Sequence, residues 1–381
     1  MVEPLFIDVH ILQTIPPSNI NRDDTGSPKT ARFGGVRRAR VSSQAWKKAT
    51  RDLFPEYLDD GKVGQRTVYA VQLIADYVKE LLPDADADIA VDAAAKALSA
   101  TGVNVKNNAT GYLLFMAPGQ AKALAQLAVR LLETGEAVDK KAAREILDVK
   151  KRPLLNAVDV AMFGRMVADA PDLNVDASVQ VAHAIGIGRM EPEFDYYTAL
   201  DDRHPEDNAG AAMVGTTEFT SATLYRYADI DVLHLCENLG SARAACQGIE
   251  AFLKSFVMSM PTGKQNSFAN RTLPAAVVIQ LRSMQPVSLV NAFEKPVEAR
   301  DGKSQVEIGC ERLAEQEKAI DEAFGTAPKQ TFVVVADPGA KALPDALPGA
   351  VIVNLDAAVR GVSQACAAYL KDNGYQTEGE E

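Results

Sequence analysis

Histidine and cysteine are scarce in this chain, four of each in 381 residues, and neither is clustered. Cys236, Cys246, Cys310 and Cys366 form no CxxC pair, and His10, His183, His204 and His234 lie far apart, so no metal site is expected. The cysteines read as isolated thiols in a reducing compartment rather than as a disulfide framework. No run of eighteen apolar residues occurs, which excludes a transmembrane helix from the expectations. The opening MVEPLFIDVHIL lacks a basic start and is interrupted by Asp8 and His10, so a secretory signal is not expected and a cytoplasmic location is. Neither GxGxxG nor the P-loop pattern is present, so no nucleotide cofactor is expected. The net charge of −11 argues against a protein that coats nucleic acid over its whole surface. It leaves room for a local basic groove, because contacts within about one Debye length dominate.

Against that acidic balance stands residues 31–51, ARFGGVRRARVSSQAWKKATR. Seven of its twenty-one residues are basic (Arg32, Arg37, Arg38, Arg40, Lys47, Lys48 and Arg51) and none is acidic. Gly34 and Gly35 allow close approach of backbone to a ligand. Arg38 and Arg40 alternate on an extended stretch and share a face. Ser42, Ser43 and Gln44 fall where a helix begins, and the free amides of a first turn attract anions. Lys47 and Arg51 lie four apart on that helix, opposite its apolar residues Ala45, Trp46, Ala49 and Leu53. Spaced cations, backbone amides and hydroxyls suit a long polyanion better than a single mononucleotide.

Period-two alternation of Leu5, Ile7, Val9 and Ile11 predicts a strand over 5–12. A polar, turn-rich stretch follows it. From about 60 to 175 the composition becomes Ala-rich, and GQAKALAQLAVRLLETG and DKKAAREILD read as amphipathic helices, the first ending at Gly135. ASVQVAHAIGI and TSATLYRYADID predict strands on either side of a long arm whose centre is polar. A helix is expected over SARAACQGIEAFLKSFVMSM, a loop over TGKQNS, and strands over PAAVVIQLR, TFVVVA and AVIVNL. A last helix runs from Ala357 to about Lys371. Apart from the helical insertion the order is β-α-β-β-α-β, so the expected class is α+β, the ferredoxin-like arrangement shared with RNA-recognition (RRM) domains.

The N-terminal strand, NRDD at 21–24, FGGVRRARVSSQ at 33–44 and Lys47 resemble the Cas-seven family. More closely, they are similar to the CasC-type backbone subunits of type I-E CRISPR Cascade complexes. The likeness continues through GRM (164–166), AHAI (182–185), GTTEFTSATLYRYADI (215–230), ENLG (237–240), GKQ (263–265) and NAFEKPV (291–297). It covers roughly residues 5–300; the last eighty residues carry no recognised motif. The resemblance implies an RRM-like palm (1–59, 181–189 and 223–375), helical fingers (60–180), a protruding thumb (190–222) and a disordered tail (376–381). It implies stacking of copies head-to-tail along a guide RNA, with no enzymatic activity. Other Cascade subunits (large, small, repeat-end-binding and guide-processing), target DNA and a recruited helicase-nuclease are the remaining expected partners.

Residue by residue, the likeness assigns guide-RNA contacts to Arg22, Lys29, Ser42, Gln44, Lys47 and Arg51, and the basic segment adds Arg38, Arg40 and Ser43. Lys264, Gln265 and Asn266 join them because Gly263 frees the backbone beside the palm. The resemblance makes Met166 a wedge against a displaced base, with Tyr197 as its partner. It also makes Lys140, Lys141 and Arg144 candidates for guiding target DNA. Two rivals remain at this point: an RRM-like binder with its own sequence preference, and a metal-dependent RNA-cleaving enzyme built on Asp23 and Asp24. One carboxylate dipeptide is thin support for a two-metal site.

Overall fold

Alternation decides the first element. In β1 (Phe6–Ser18), Ile7, Val9 and Ile11 turn to one face of the sheet and Asp8, His10 and Leu12 to the other, and all six are buried. The structure, a computed structural model, describes residues 3–199 and 213–376. Residues 200–212, the centre of the expected thumb, and 377–381 of the expected tail lie outside the described residues.

After β1 come the hairpin β2 (Thr30–Phe33) and β3 (Val36–Val41), then α1 (Ser43–Asp52). A helical block follows: β4 (Gln65–Thr67), α2 (Ala70–Leu81), α3 (Ala87–Ala100), β5 (Val105–Lys106), β6 (Ala109–Thr110), β7 (Leu114–Met116), α4 (Pro118–Thr134), α5 (Lys140–Leu147) and α6 (Val158–Phe163). The chain returns through β8 (Val179–Val181), β9 (Ala184–Gly186), β10 (Glu193–Ala199) and β11 (Met213–Asp231). Next are α7 (Val232–Leu239), α8 (Ala242–Met258), α9 (Gln265–Phe268), β12 (Ala276–Arg282) and α10 (Gln305–Phe324). It closes with β13 (Gln330–Val335), α11 (Leu343–Ala346), β14 (Ala350–Ile352) and α12 (Leu355–Asp372).

The main sheet runs β14–β13–β12–β1–β11–β9–β3–β2, with β8 also on β11. Its centre, β12–β1–β11 followed by β8 and β9, is antiparallel and has the ferredoxin-like strand order 4-1-3-2. One face packs Ile7, Val9 and Ile11 against a core that includes Trp46 of α1, Leu235 of α7, Phe252 and Phe256 of α8 and Val362 of α12. The helical block has its own core, drawn from α2 to α5 and the segments joining them. α4 ends at Gly135 in the left-handed conformation, as expected.

The other face of the sheet carries a difference of consequence. It is covered by α10 and the segment 287–297, which pack on Leu12, Tyr225, Tyr227 and Val278. A buried ionic network lies there. Arg282 pairs with Asp8 at 3.0 Å, Glu317 at 2.8 Å and Asp321 at 3.2 Å. Tyr227 donates to Asp8 at 2.7 Å, and His10 Nδ1 meets the Tyr225 hydroxyl at 2.8 Å. Burial raises the Asp8 pKa to about 6 and lowers that of His10 to about 3. An RNA-recognition sheet reads bases with aromatic side chains on an open face; here both tyrosines are sealed beneath a helix.

Three further local expectations are corrected. The strand expected over ASVQVAHAIGI is split into β8 and β9. From Tyr225↔Ile185 to Ala228↔Val181, β11 advances three residues while its partner advances four, which leaves a bulge at Ala182–His183. TGKQNS is not a plain loop, because Lys264 enters the left-handed region (φ 53°) and α9 follows it. Gly34 and Gly35 form the two-residue turn of the β2–β3 hairpin, with φ of 58° and 80°, and a Cβ on Gly34 would overlap the Glu294 carbonyl. Their freedom serves the turn and its packing rather than a ligand.

Candidate nucleic-acid interface

α1 is the hinge of the site. Ser42 caps it, its Oγ accepting from the Ala45 amide at 3.3 Å, while the Ser42 amide donates to Asn21 Oδ1 at 2.9 Å. Among the described residues nothing accepts from the amides of Ser43 and Gln44, so these two first-turn donors remain available to an anion. The Asn21 bond also ties the 19–29 loop across the helix start. Lys29 donates its amide to the Asn21 carbonyl at 2.8 Å, and Arg40 donates its amide to the Lys29 carbonyl at 2.9 Å. Exposed Arg22 and half-buried Lys29 and Arg40 therefore gather around the helix N-terminus.

Within the same loop the Asp23 carboxylate is a turn anchor. It accepts from the Thr25 hydroxyl at 2.7 Å and from the amides of Thr25 and Ser27 at 3.0 Å, and the Thr25 hydroxyl bond leads the causes that lower its pKa. Among the described residues no group of three or more His, Cys, Asp or Glu side chains is placed to hold a metal ion.

On the other side of the helix start sits the Gly263 loop. Gly263 packs so closely on the Ile20 carbonyl that a Cβ would overlap it. A cavity of about 330 Å³, lined by Ala45, Lys48, Ala49, Met260, Gly263 and Arg271 among others, separates this loop from α1. Half-buried Lys264 and exposed Gln265 and Asn266 follow Gly263 in this loop. The hairpin β10–β11 joins them at its base, where Phe219 meets Phe268 at 5.8 Å between ring centroids.

Along α1, Lys47 and Arg51 differ in a way their spacing does not reveal. Arg51 Nε donates to the fully buried Asp159 at 3.0 Å, and its guanidinium lies 4.5 Å from the Phe115 ring centroid. Burial raises the Asp159 pKa, and Arg51 opposes that shift. Arg51 therefore joins α1 to α6 before it can serve a ligand. Lys47 lies 5.6 Å from the Phe163 centroid, and burial together with the charge of Arg66 lowers its pKa. Arg66, exposed on β4, is 5.1 Å from the Phe115 centroid. Two cations beside one another, with no acid among the causes that shift Lys47, make a place where an anion gains twice.

Phe163 leads directly to GRM. Gly164 turns with φ 78°. Arg165 is buried and donates to the carbonyls of Leu147 (2.5 Å) and Leu173 (2.9 Å) and to Gln120 Oε1 (2.9 Å), with burial lowering its pKa to about 10. Met166 is then presented to solvent, 76% exposed. So the glycine turns, the arginine anchors and the methionine projects. Tyr197 is less free than expected, because its ring lies over its cross-strand partner Gly215. Phe194 and Tyr196, on the opposite face of β10, are 67% and 66% exposed.

Two of the expected contact residues are engaged within the fold. Arg38 is 0% exposed, with its guanidinium donating to the carbonyls of Gly186, Ile187, Phe293 and Glu294 at 2.6–3.1 Å. It fastens the β2–β3 hairpin to β9 and the 287–297 segment and cannot reach a ligand. Arg144 is held by Asp172, at 2.5 Å to Oδ1, and by the Thr101 carbonyl at 2.9 Å. Lys140 and Lys141 on the same helix are exposed, away from the α1 surface. Sequence reasoning missed Asn21, though NRDD contained it. It also missed Arg66, for which no local pattern gave a signal.

A family model described as CT1975-like protein matches residues 7–359. The chain belongs to that family. A solved structure described as "CRISPR RNA-guided surveillance complex, pre-nicking" contains a chain 31% identical to this CT1975-like chain, with a TM-score of 0.80 over 95% of this chain and 100% of that one. A second, described as "CRISPR RNA-guided surveillance complex", contains a chain 26% identical, with a TM-score of 0.71 over 94% and 99%. No curated protein matches. Among the described residues of this CT1975-like chain no helix is long and apolar enough to cross a membrane.

Proposed function

We propose that this chain binds CRISPR guide RNA without regard to sequence, as the repeated, non-enzymatic filament subunit of a type I-E surveillance complex in the cytoplasm. The observation that carries the reading is the α1 surface. Two unclaimed first-turn amides, with Lys29 and Arg40 beside them, lie on the same helix as Lys47, whose cationic neighbour is Arg66. Such a set suits phosphates, whose contacts carry no sequence information. The sealed positions of Tyr225 and Tyr227 count against sheet-face base reading, which disfavours the RRM-like binder. That both similar chains come from RNA-guided surveillance complexes supports a guide RNA as the polyanion.

In this reading guide–target pairing supplies specificity. Copies stack head-to-tail on the RNA, with other Cascade subunits at their side, and a recruited helicase-nuclease destroys the DNA. Met166, with the exposed face of β10 as well as Tyr197, meets displaced bases, since apolar and aromatic contacts accept any base. Lys140 and Lys141, without Arg144, are left to attract target DNA. Native mass spectrometry of the chain purified from cells that also express a guide transcript tests the assembly. Several copies per RNA, with nucleic-acid absorbance, are expected; an RNA-free monomer contradicts the reading.

A further inference from the structure

His183 sits at the β8–β9 bulge, where the extra residue carries its side chain out to solvent. Beside it are two cations from the neighbouring strands. Arg40 pairs with Ile185 of β9, two residues from His183, and Lys29 stands across from Arg40 through the amide bond to its carbonyl. Like charges set side by side across a sheet are destabilising. No acid is among the groups that perturb His183, which are the partial desolvation of its ring and the charges of Arg40 and Lys29. On β11, the strand on its other side, Tyr225 and Tyr227 are buried with their hydroxyls engaged at His10 and Asp8. Arg40 Nε is buried and, among the described residues, finds no acceptor. A basic row with an unclaimed donor and, among the described residues, no acid beside it attracts an anion.

We propose that His183 joins Lys29 and Arg40 as a phosphodiester contact at the edge of the α1 surface, its imidazole taking up a proton as the phosphate binds. The inference rests on the RNA-binding reading and adds a residue and a proton to it. Free of ligand, His183 is held below the ordinary imidazole pKa by partial desolvation of its ring and by its two cationic neighbours. A phosphate between them reverses the sign of the local field and favours the charged ring. Protons are then bound on association, so affinity rises as pH falls through the window between the bound and free pKa values. Each unit by which phosphate raises that pKa is worth up to about tenfold in affinity.

The test is binding of a labelled single-stranded RNA at constant ionic strength from pH 8 to pH 5.5, for the full chain and for His183→Gln. The full chain is expected to bind several-fold more tightly at pH 6 than at pH 8. The glutamine variant is expected to bind with nearly flat pH dependence. Nuclear magnetic resonance of the imidazole carbons, with the His183 signal identified by its loss in the variant, should show its pKa rising when RNA is added. If His183→Gln keeps the same pH dependence, or the imidazole pKa does not rise, the proton-coupled site is wrong and the RNA reading survives. If the full chain binds no RNA at any pH, the RNA reading itself has failed.

Discussion

Arg38, Arg165, Arg226 and Arg282 are each no more than 4% exposed, and all four spend their guanidinium on the fold. Arg226 is representative: it lies 3.7 Å from the Trp46 ring centroid, donates to Gln13 Oε1 at 2.6 Å and to the Phe256 carbonyl, and burial lowers its pKa to about 9. An arginine can therefore be a brace or a ligand, and only its surroundings separate the two. The same distinction divides Lys47 from Arg51. Lys47→Ala should leave the melting temperature nearly unchanged and weaken binding equally for all RNAs. It should also lower the log–log salt slope by roughly 0.7, the single-strand value per lost phosphate contact. Arg51→Ala should also destabilise, by up to about 3 kcal/mol, because Asp159 is left buried without its partner. Thermal melts beside salt titrations check both; equal melting temperatures for the two variants would remove the brace.

At the scale of elements, the β2–β3 hairpin fixes where the basic segment can act. Gly34→Ala forces a left-handed backbone on alanine, typically about 1–3 kcal/mol, and pushes on the Glu294 carbonyl. It should lower stability and displace Arg40, and amide exchange across β2 and β3 measures the effect; native protection would show that the turn relaxes freely. The 19–29 loop makes the complementary prediction. Asp23 has a folded pKa below its ordinary 3.8, so its support for the turn is complete above that value and is lost as pH falls through the lower, folded one. Thr25 and Ser27 amides should lose protection in that acid range alone. Since Asp23 is a turn anchor, guide and target RNA should stay intact for hours in Mg²⁺ or Mn²⁺. Regular cuts that vanish in Asp23→Ala or Asp24→Ala would promote the nuclease.

These elements also show what could be read in advance. The α1 cap at Ser42, the Gly135 stop of α4 and the alternation of β1 are local signals, set by a few neighbouring residues, and they were legible. What was not legible depends on long-range contacts. Asp8 and His10 look like solvent-facing residues of a half-buried strand, and nothing near them announces that α10, three hundred residues later, will cover them. Arg38 and Arg40 share one alternation, yet a carbonyl cluster from two distant segments claims only the first. Arg66 gains meaning solely because the insertion folds back to put β4 and β7 against α1. The basic segment pointed to the α1 surface, yet one of its own members, Arg38, is buried in the fold.

For the molecule as a whole, the acidic balance and the basic surface answer different demands. A net charge of −11 keeps the chain soluble and self-repelling, while the cations around α1 act over one Debye length. The measurement that reaches the central claim most directly is the salt dependence of affinity for two single-stranded RNAs of unrelated sequence, for the native chain and for Lys47→Ala/Arg66→Ala. Equal affinities for the two RNAs are predicted at every salt concentration, with a steep native slope that falls by roughly 1.4 in the double variant, for two lost contacts. A strong preference for one RNA, or a slope untouched by the double substitution, would contradict sequence-independent binding at the α1 surface.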